Sequence, residues 1–170
     1  MGYKKSITVT LEVKEIIFDI ENKTHITGVS KIADGTSNYE AGANMQASDE
    51  AEQSYQLRRS VSNAFSHLKV ELSEYLNETA STTNNRIKDA VDNDGQLVLA
   101  FKLTSNFDNC ACDALGSALH EYIVDKAISE WYMLTNKAEA ADYLTLASAA
   151  LTSTRTALYL RKRPERPTYN

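Results

Sequence analysis

The chain has 170 residues, with 18 Lys and Arg against 23 Asp and Glu, which gives a formal charge of −5 with the histidines neutral. Apolar residues make up 42% and charged residues 24%, proportions that set aside a disordered or fibrous chain. At this length folding hides about 70% of the surface the unfolded chain exposes, so a core forms without a disulfide or metal staple.

The densest apolar run, Leu97 to Phe101, falls far short of the roughly 18 residues of a membrane span. The opening Met1-Gly2-Tyr3-Lys4-Lys5-Ser6 leads into an alternating segment rather than the apolar block of a signal peptide. Cys110 and Cys112, one residue apart, are poorly spaced for a disulfide. The expectation is a soluble, reduced protein with no membrane partner.

Ile7, Val9, Leu11 and Val13 alternate with Thr8, Thr10 and Glu12, the period of two that predicts a half-buried strand over 5–12. From Val13 to about Asn22 the apolar positions Val13, Ile16, Ile17 and Ile20 take helical spacing, which predicts a short helix. Residues 33–48, with Asp34-Gly35, Gly42 and many Ser, Asn and Ala, read as turns or a mobile loop.

Ser48-Asp49-Glu50-Ala51-Glu52 supplies a capping residue and acids for a helix start. The stripe Leu57, Val61, Ala64, Phe65, Leu68, Leu72, Tyr75 and Leu76 predicts a long amphipathic helix running to about Leu76. Residues 77–95 are rich in Asn, Thr, Ser and Asp and end in Asp94-Gly95, a turn signal. Residues 97–103 then read as a second strand, apolar enough on both faces to require cover on each.

Asn106 or Asp108 can cap a third helix reaching Leu134, with Leu115, Leu119, Tyr122, Ile123, Ala127 and Trp131 along one face. Asn136 and Glu139 have the spacing of a capping box and start a fourth helix, whose stripe is Ala140, Tyr143, Leu144, Ala147, Leu151 and Leu158. The short link between them predicts an antiparallel helical hairpin, and Pro164 and Pro167 end it.

The fold expected is therefore mostly helical α+β: a C-terminal hairpin, a long central helix and a small sheet in a single domain over 1–160, followed by a basic tail over 161–170. Strands 5–12 and 97–104 should share that sheet beneath the hairpin. Two strands alone are marginal, and their exposed edges would be sites for β-augmentation during assembly.

Little in the sequence points to catalysis. His25, His67 and His120 are scattered, and only His120-Glu121 sets an acid beside one; a place on a helix one step after Leu119, at the polar boundary of its apolar face, accounts for it. Cys110-Ala111-Cys112 lacks the second ligand pair of a zinc site. The six glycines form no phosphate-binding pattern, and Ser105, Ser117 and Ser129 lie outside any nucleophile elbow. No enzyme and no cofactor are expected.

The tail Arg161-Lys162-Arg163-Pro164-Glu165-Arg166 concentrates cations on an acidic chain. Offsetting the negative end of the last helix, at about 0.3–1 kcal/mol for each cation, explains part of it. An acidic neighbouring subunit or nucleic-acid phosphates are the other readings. Trp131 and Tyr132 read as hairpin core, with an intersubunit anchor as the alternative.

Tyr122-Ile123-Val124, Glu130-Trp131-Tyr132, Thr135-Asn136-Lys137-Ala138-Glu139-Ala140, Tyr143 and Leu158-Tyr159-Leu160-Arg161-Lys162-Arg163-Pro164, together with the Ile7-Thr8-Val9 strand and the helix after it, resemble head–tail connector or neck proteins of tailed phages and prophages of Bacteroides-type bacteria. The resemblance covers the last third of the chain well, the first third loosely, and segments 33–48 and 77–95 hardly at all. It implies a virion structural subunit that joins copies of itself into a ring, docks on a portal or tail-completion protein, surrounds a DNA channel, and passes through the host cytoplasm during assembly. Arg161, Lys162, Arg163, Arg166, Trp131 and Tyr132 are then the candidate interaction residues. A helical protein-interaction module of a mobile element is the rival reading.

Overall fold

The computed structural model of the chain describes residues 4–77, 79–82 and 94–164. Among these, two strands and five α-helices follow one another as β1 (Lys4–Glu12), α1 (Val13–Ala33), α2 (Tyr39–Met45), α3 (Ala51–Glu71), β2 (Gln96–Thr104), α4 (Ala111–Thr135) and α5 (Lys137–Tyr159), with a single 3-10 turn at Ser73–Tyr75. The fold is mostly helical α+β with a small antiparallel sheet.

β1 and β2 pair antiparallel in the register Lys4↔Thr104 through Glu12↔Gln96. Ile7, Val9 and Leu11 share a face with Leu97, Leu99, Phe101 and Leu103, and this face belongs to the main core. The other face carries Ser6, Thr8, Thr10, Gln96, Lys102 and Thr104, all exposed. Cover on both faces of β2 was the expectation; only Ala100 and, in part, Val98 are shielded on the outer one. Hydroxyl chemistry explains their shielding. Asn77 N–H and Ser81 Oγ engage the carbonyl and N–H of Ala100, while Thr82 does the same for Val98 through its N–H and Oγ1. Asn77, Ser81 and Thr82 thus satisfy the outer edge of β2, the carbonyls through backbone N–H groups and the N–H groups through hydroxyl oxygens where a third strand would use its carbonyls.

α1 continues eleven residues past the predicted end at Asn22, reaching Ala33. Its core stripe is Val13, Ile16, Ile20, Thr24 and Gly28. The last two hide from an apolar-periodicity reading because one is polar and one has no side chain. Thr24 Oγ1 donates to the Ile20 carbonyl at 2.8 Å, so its burial leaves no orphan hydroxyl. Gly28 meets Gly42 of α2; a Cβ on Gly28 would stand 2.7 Å from the Gly42 carbonyl oxygen. α2 itself corrects the loop expected over 33–48: Asn38 Oδ1 accepts from Ala41 N–H at 2.8 Å and starts a helix that buries Met45.

α3 ends at Glu71, short of the expected Leu76. Leu72 leaves helical geometry, and Leu76 instead forms an isolated bridge with Phe101. At its start Ser48 donates to Gln53 Oε1 at 2.9 Å from both its N–H and its hydroxyl. α4 is the central element. Leu115, Leu119, Tyr122, Ile123, Ala127, Ile128 and Tyr132 are buried on it, together with Asp125 and Ser129, so it is enclosed around much of its girth.

Asn136 alone separates α4 from α5. Its Oδ1 accepts from Ala138 N–H at 3.2 Å. The reciprocal half of the expected capping box is absent, because Glu139 reaches Lys31 Nζ of α1 at 2.6 Å instead. Against α4, α5 buries Ala140, Ala147, Ala150, Thr154, Ala157 and Leu158, small side chains that permit close packing. Leu144, expected in that stripe, is exposed.

Candidate functional site

The first residues of the basic run after α5 are tied back to the turn before α4. Asp108 N–H donates to the Leu160 carbonyl at 3.3 Å and Lys162 N–H to the Asn106 carbonyl at 2.8 Å, which brackets a bridge between Phe107 and Arg161. Phe107 is fully buried, so the turn before α4 is a fixed seat for residues 160–162. The Arg161 guanidinium turns back and donates to the carbonyls of Leu158 at 2.7 Å and Leu160 at 3.0 Å. It satisfies acceptors at a helix C-terminus and places positive charge at the negative end of the macrodipole.

Lys162 and Arg163 are exposed at the same corner. Lys5 joins them from the start of β1: its ammonium bonds Asn109 Oδ1 and lies 5.7 Å from the Phe107 ring centroid. Asp108 sits among these cations. The Cys110 N–H it accepts, followed by Lys162 and Lys5, holds its carboxyl below the ordinary aspartate range. Residues more than 150 apart in sequence therefore converge on one basic corner. Arg166, also expected to take part, lies outside the described residues.

Trp131 and Tyr132 take a different place. Trp131 is 7% exposed and its Nε1–H donates to the Met45 carbonyl at 2.9 Å, which ties the end of α2 to α4. Tyr132 is fully buried at 0% exposure, its ring 5.4 Å from that of Tyr143 on α5. Its hydroxyl makes no hydrogen bond of ordinary geometry, although Thr27 lies close enough to act on it. Burial pushes this phenol up to about 12, with Thr27 pulling the other way.

A second polar region lines an open cleft of about 490 Å³ between β1, α1 and α4, bounded by Val9, Thr10, Asp19, Lys23, Ser117 and His120. His120 Nε2 lies 2.7 Å from Asp19 Oδ2, and Lys23 Nζ lies 2.9 Å from Asp125 Oδ1. His120 thus sits inside α4 at the polar edge of its buried face, with Asp19 rather than its neighbour Glu121 as partner. The pairings lie about 100 residues apart and leave no local sequence signal beyond the i, i+4 spacing that sets Asp19 and Lys23 on one face of α1. Both pairs clamp α1 to α4. Among the described residues, no group of three His, Cys, Asp or Glu is placed to hold a metal ion.

α1 also shows an outward apolar face opposite its core stripe, made by Phe18, Ile26 and Val29. No helix among the described residues is long and apolar enough to cross a membrane. No protein-family model, no curated protein and no solved structure matches the chain.

Proposed function

We propose that the chain is a non-enzymatic structural subunit of the head–tail joint of a tailed-phage virion, one that self-associates into a connector ring and docks on a portal or tail-completion protein. The observation that carries this reading is the basic corner. On a chain of net charge −5, Lys5, Lys162 and Arg163 converge beside the fixed seat of residues 160–162, a charge separation suited to steering an acidic neighbour into place. The exposed face of Phe18, Ile26 and Val29 supports contact between subunits.

The cations are too few and too close to Asp108 to hold DNA tightly. Weak, salt-sensitive contact with DNA in the channel is the most they supply, since each phosphate contact contributes only about 0.9 to the logarithmic salt slope. Electron microscopy of virions carrying a labelled copy tests the reading: density between portal and tail is expected, and a copy absent from particles, or present only on the capsid surface, would refute it. Lys162→Ala with Arg163→Ala and Arg166→Ala should lower incorporation while the isolated chain stays folded.

A further inference from the structure

β1 has β2 on one side and, among the described residues, no strand on the other. The antiparallel register determines which of its backbone groups are left over. Val98 and Ala100 direct their N–H and C=O groups away from β1, to segment 77–82. Their partners Thr10 and Thr8 therefore occupy non-hydrogen-bonded positions of the β1–β2 ladder. It follows from the alternation that Ser6, Thr8 and Thr10 also turn their N–H and C=O groups to the free edge. The side chains of all three are exposed. Such a row of donors and acceptors, facing no strand among the described residues, is a template for another strand.

The sequence of this edge is complementary to itself. When Lys4–Glu12 is laid antiparallel on a second copy with Thr8 opposite Thr8, Ser6 meets Thr10 and Ile7 meets Val9 on both sides of the centre. Every even-numbered pair is then a hydrogen-bonded pair, and the twofold axis passes between the two Thr8 residues. Paired hydroxyl residues on one face and paired β-branched residues on the other are favourable cross-strand neighbours. A shift by one residue would lose them, sending side chains to the wrong face.

We propose that the free edge of β1 docks the β1 edge of a second copy of this chain, antiparallel about Thr8, to form a four-stranded sheet across two molecules. The contact is isologous and closes at two copies. It is thus distinct from the head-to-tail contacts of a ring and does not depend on the head–tail reading.

Thr8 is the one outward position that meets itself in this register, so a charge placed there meets its own copy. Thr8→Lys and Thr8→Glu should each render the full chain monomeric in sedimentation experiments at about 0.1–1 mM, the range in which a contact with a Kd near about 1 mM becomes populated. Mixing the two variants should restore a dimer containing one of each. Circular dichroism and melting of each variant confirm that it is folded, as expected for a solvent-facing position. A wild-type chain that stays monomeric over this range overturns the proposal. So does a dimer that persists in both charged variants, which would place the contact elsewhere, such as the Phe18 face of α1. Failure of the folded variants to pair when mixed overturns the Thr8 register.

Discussion

Trp131 and Tyr132 on α4 and the cations after α5 are all candidates for partner contact by residue type, yet the fold treats the two groups in opposite ways. The aromatic pair is consumed internally: one ring ties α4 to the end of α2 and the other packs against α5. Among the described cations, Lys162 and Arg163 stay exposed and Arg161 turns inward. Residue type indicates the capacity for contact; the partner is set by which helix face the position occupies. On α4, core surrounds most of the helix, so few positions remain to meet another molecule.

The sharpest way to break this comparison is Trp131→Ala. A buried tryptophan that bridges two elements should cost about 3–5 kcal/mol on truncation, read by denaturant unfolding. A loss below about 1 kcal/mol would return Trp131 to the surface. Tyr132 sharpens the same point through pH. Its phenol ionises near 12 in the folded chain and near 10 when unfolded, so the contribution is fully present below pH 10 and is lost as pH rises from 10 through 12. The amount at stake is about 2–3 kcal/mol. Tyr132→Phe should remove that part of the alkaline slope. Because the enclosed hydroxyl makes no ordinary hydrogen bond, the variant should match wild type at neutral pH or exceed it by up to about 1 kcal/mol.

Both strands, the first half of α1, the long helix α3 and the hairpin of α4 and α5 were legible in the sequence, because apolar period and capping residues act locally. What escaped depends on tertiary approach. α1 continues past Asn22 because Thr24 closes its own hydroxyl on the helix and Gly28 lets α2 come near; neither position looks apolar or large. α2 hid among Ser, Asn and Ala for the same reason, since its burial rests on Gly42 and Met45. At the candidate site, the cationic run was visible, whereas its meeting with Lys5 and Asp108 depends on the seat at Phe107. Gly28→Ala tests the first of these. A Cβ would press on the backbone oxygen of Gly42; overpacking of about 1–3 kcal/mol, offset by about 1 kcal/mol of helix propensity, leaves a net loss of up to about 2 kcal/mol. Fluorescence of Trp131, the single tryptophan, should shift as α2 moves.

The smallest expected effects divide the cationic run itself. Arg161 donates to two carbonyls at the end of α5 and lies against the Phe107 bridge, so Arg161→Ala removes a cap as well as a charge. The cost should be about 1 kcal/mol, in the range of terminal charge and carbonyl capping. Lys162 and Arg163 are exposed, and Lys162 engages the fold through its backbone N–H, which alanine retains. Replacing both side chains should change stability by no more than about 0.5 kcal/mol. The order reverses for assembly: the exposed pair should matter more for incorporation into particles than Arg161 does. Equal melting losses for the two variants would show that the run acts as one unit. A stable Arg161→Ala variant that fails to assemble would move the inward-turned arginine into the docking surface.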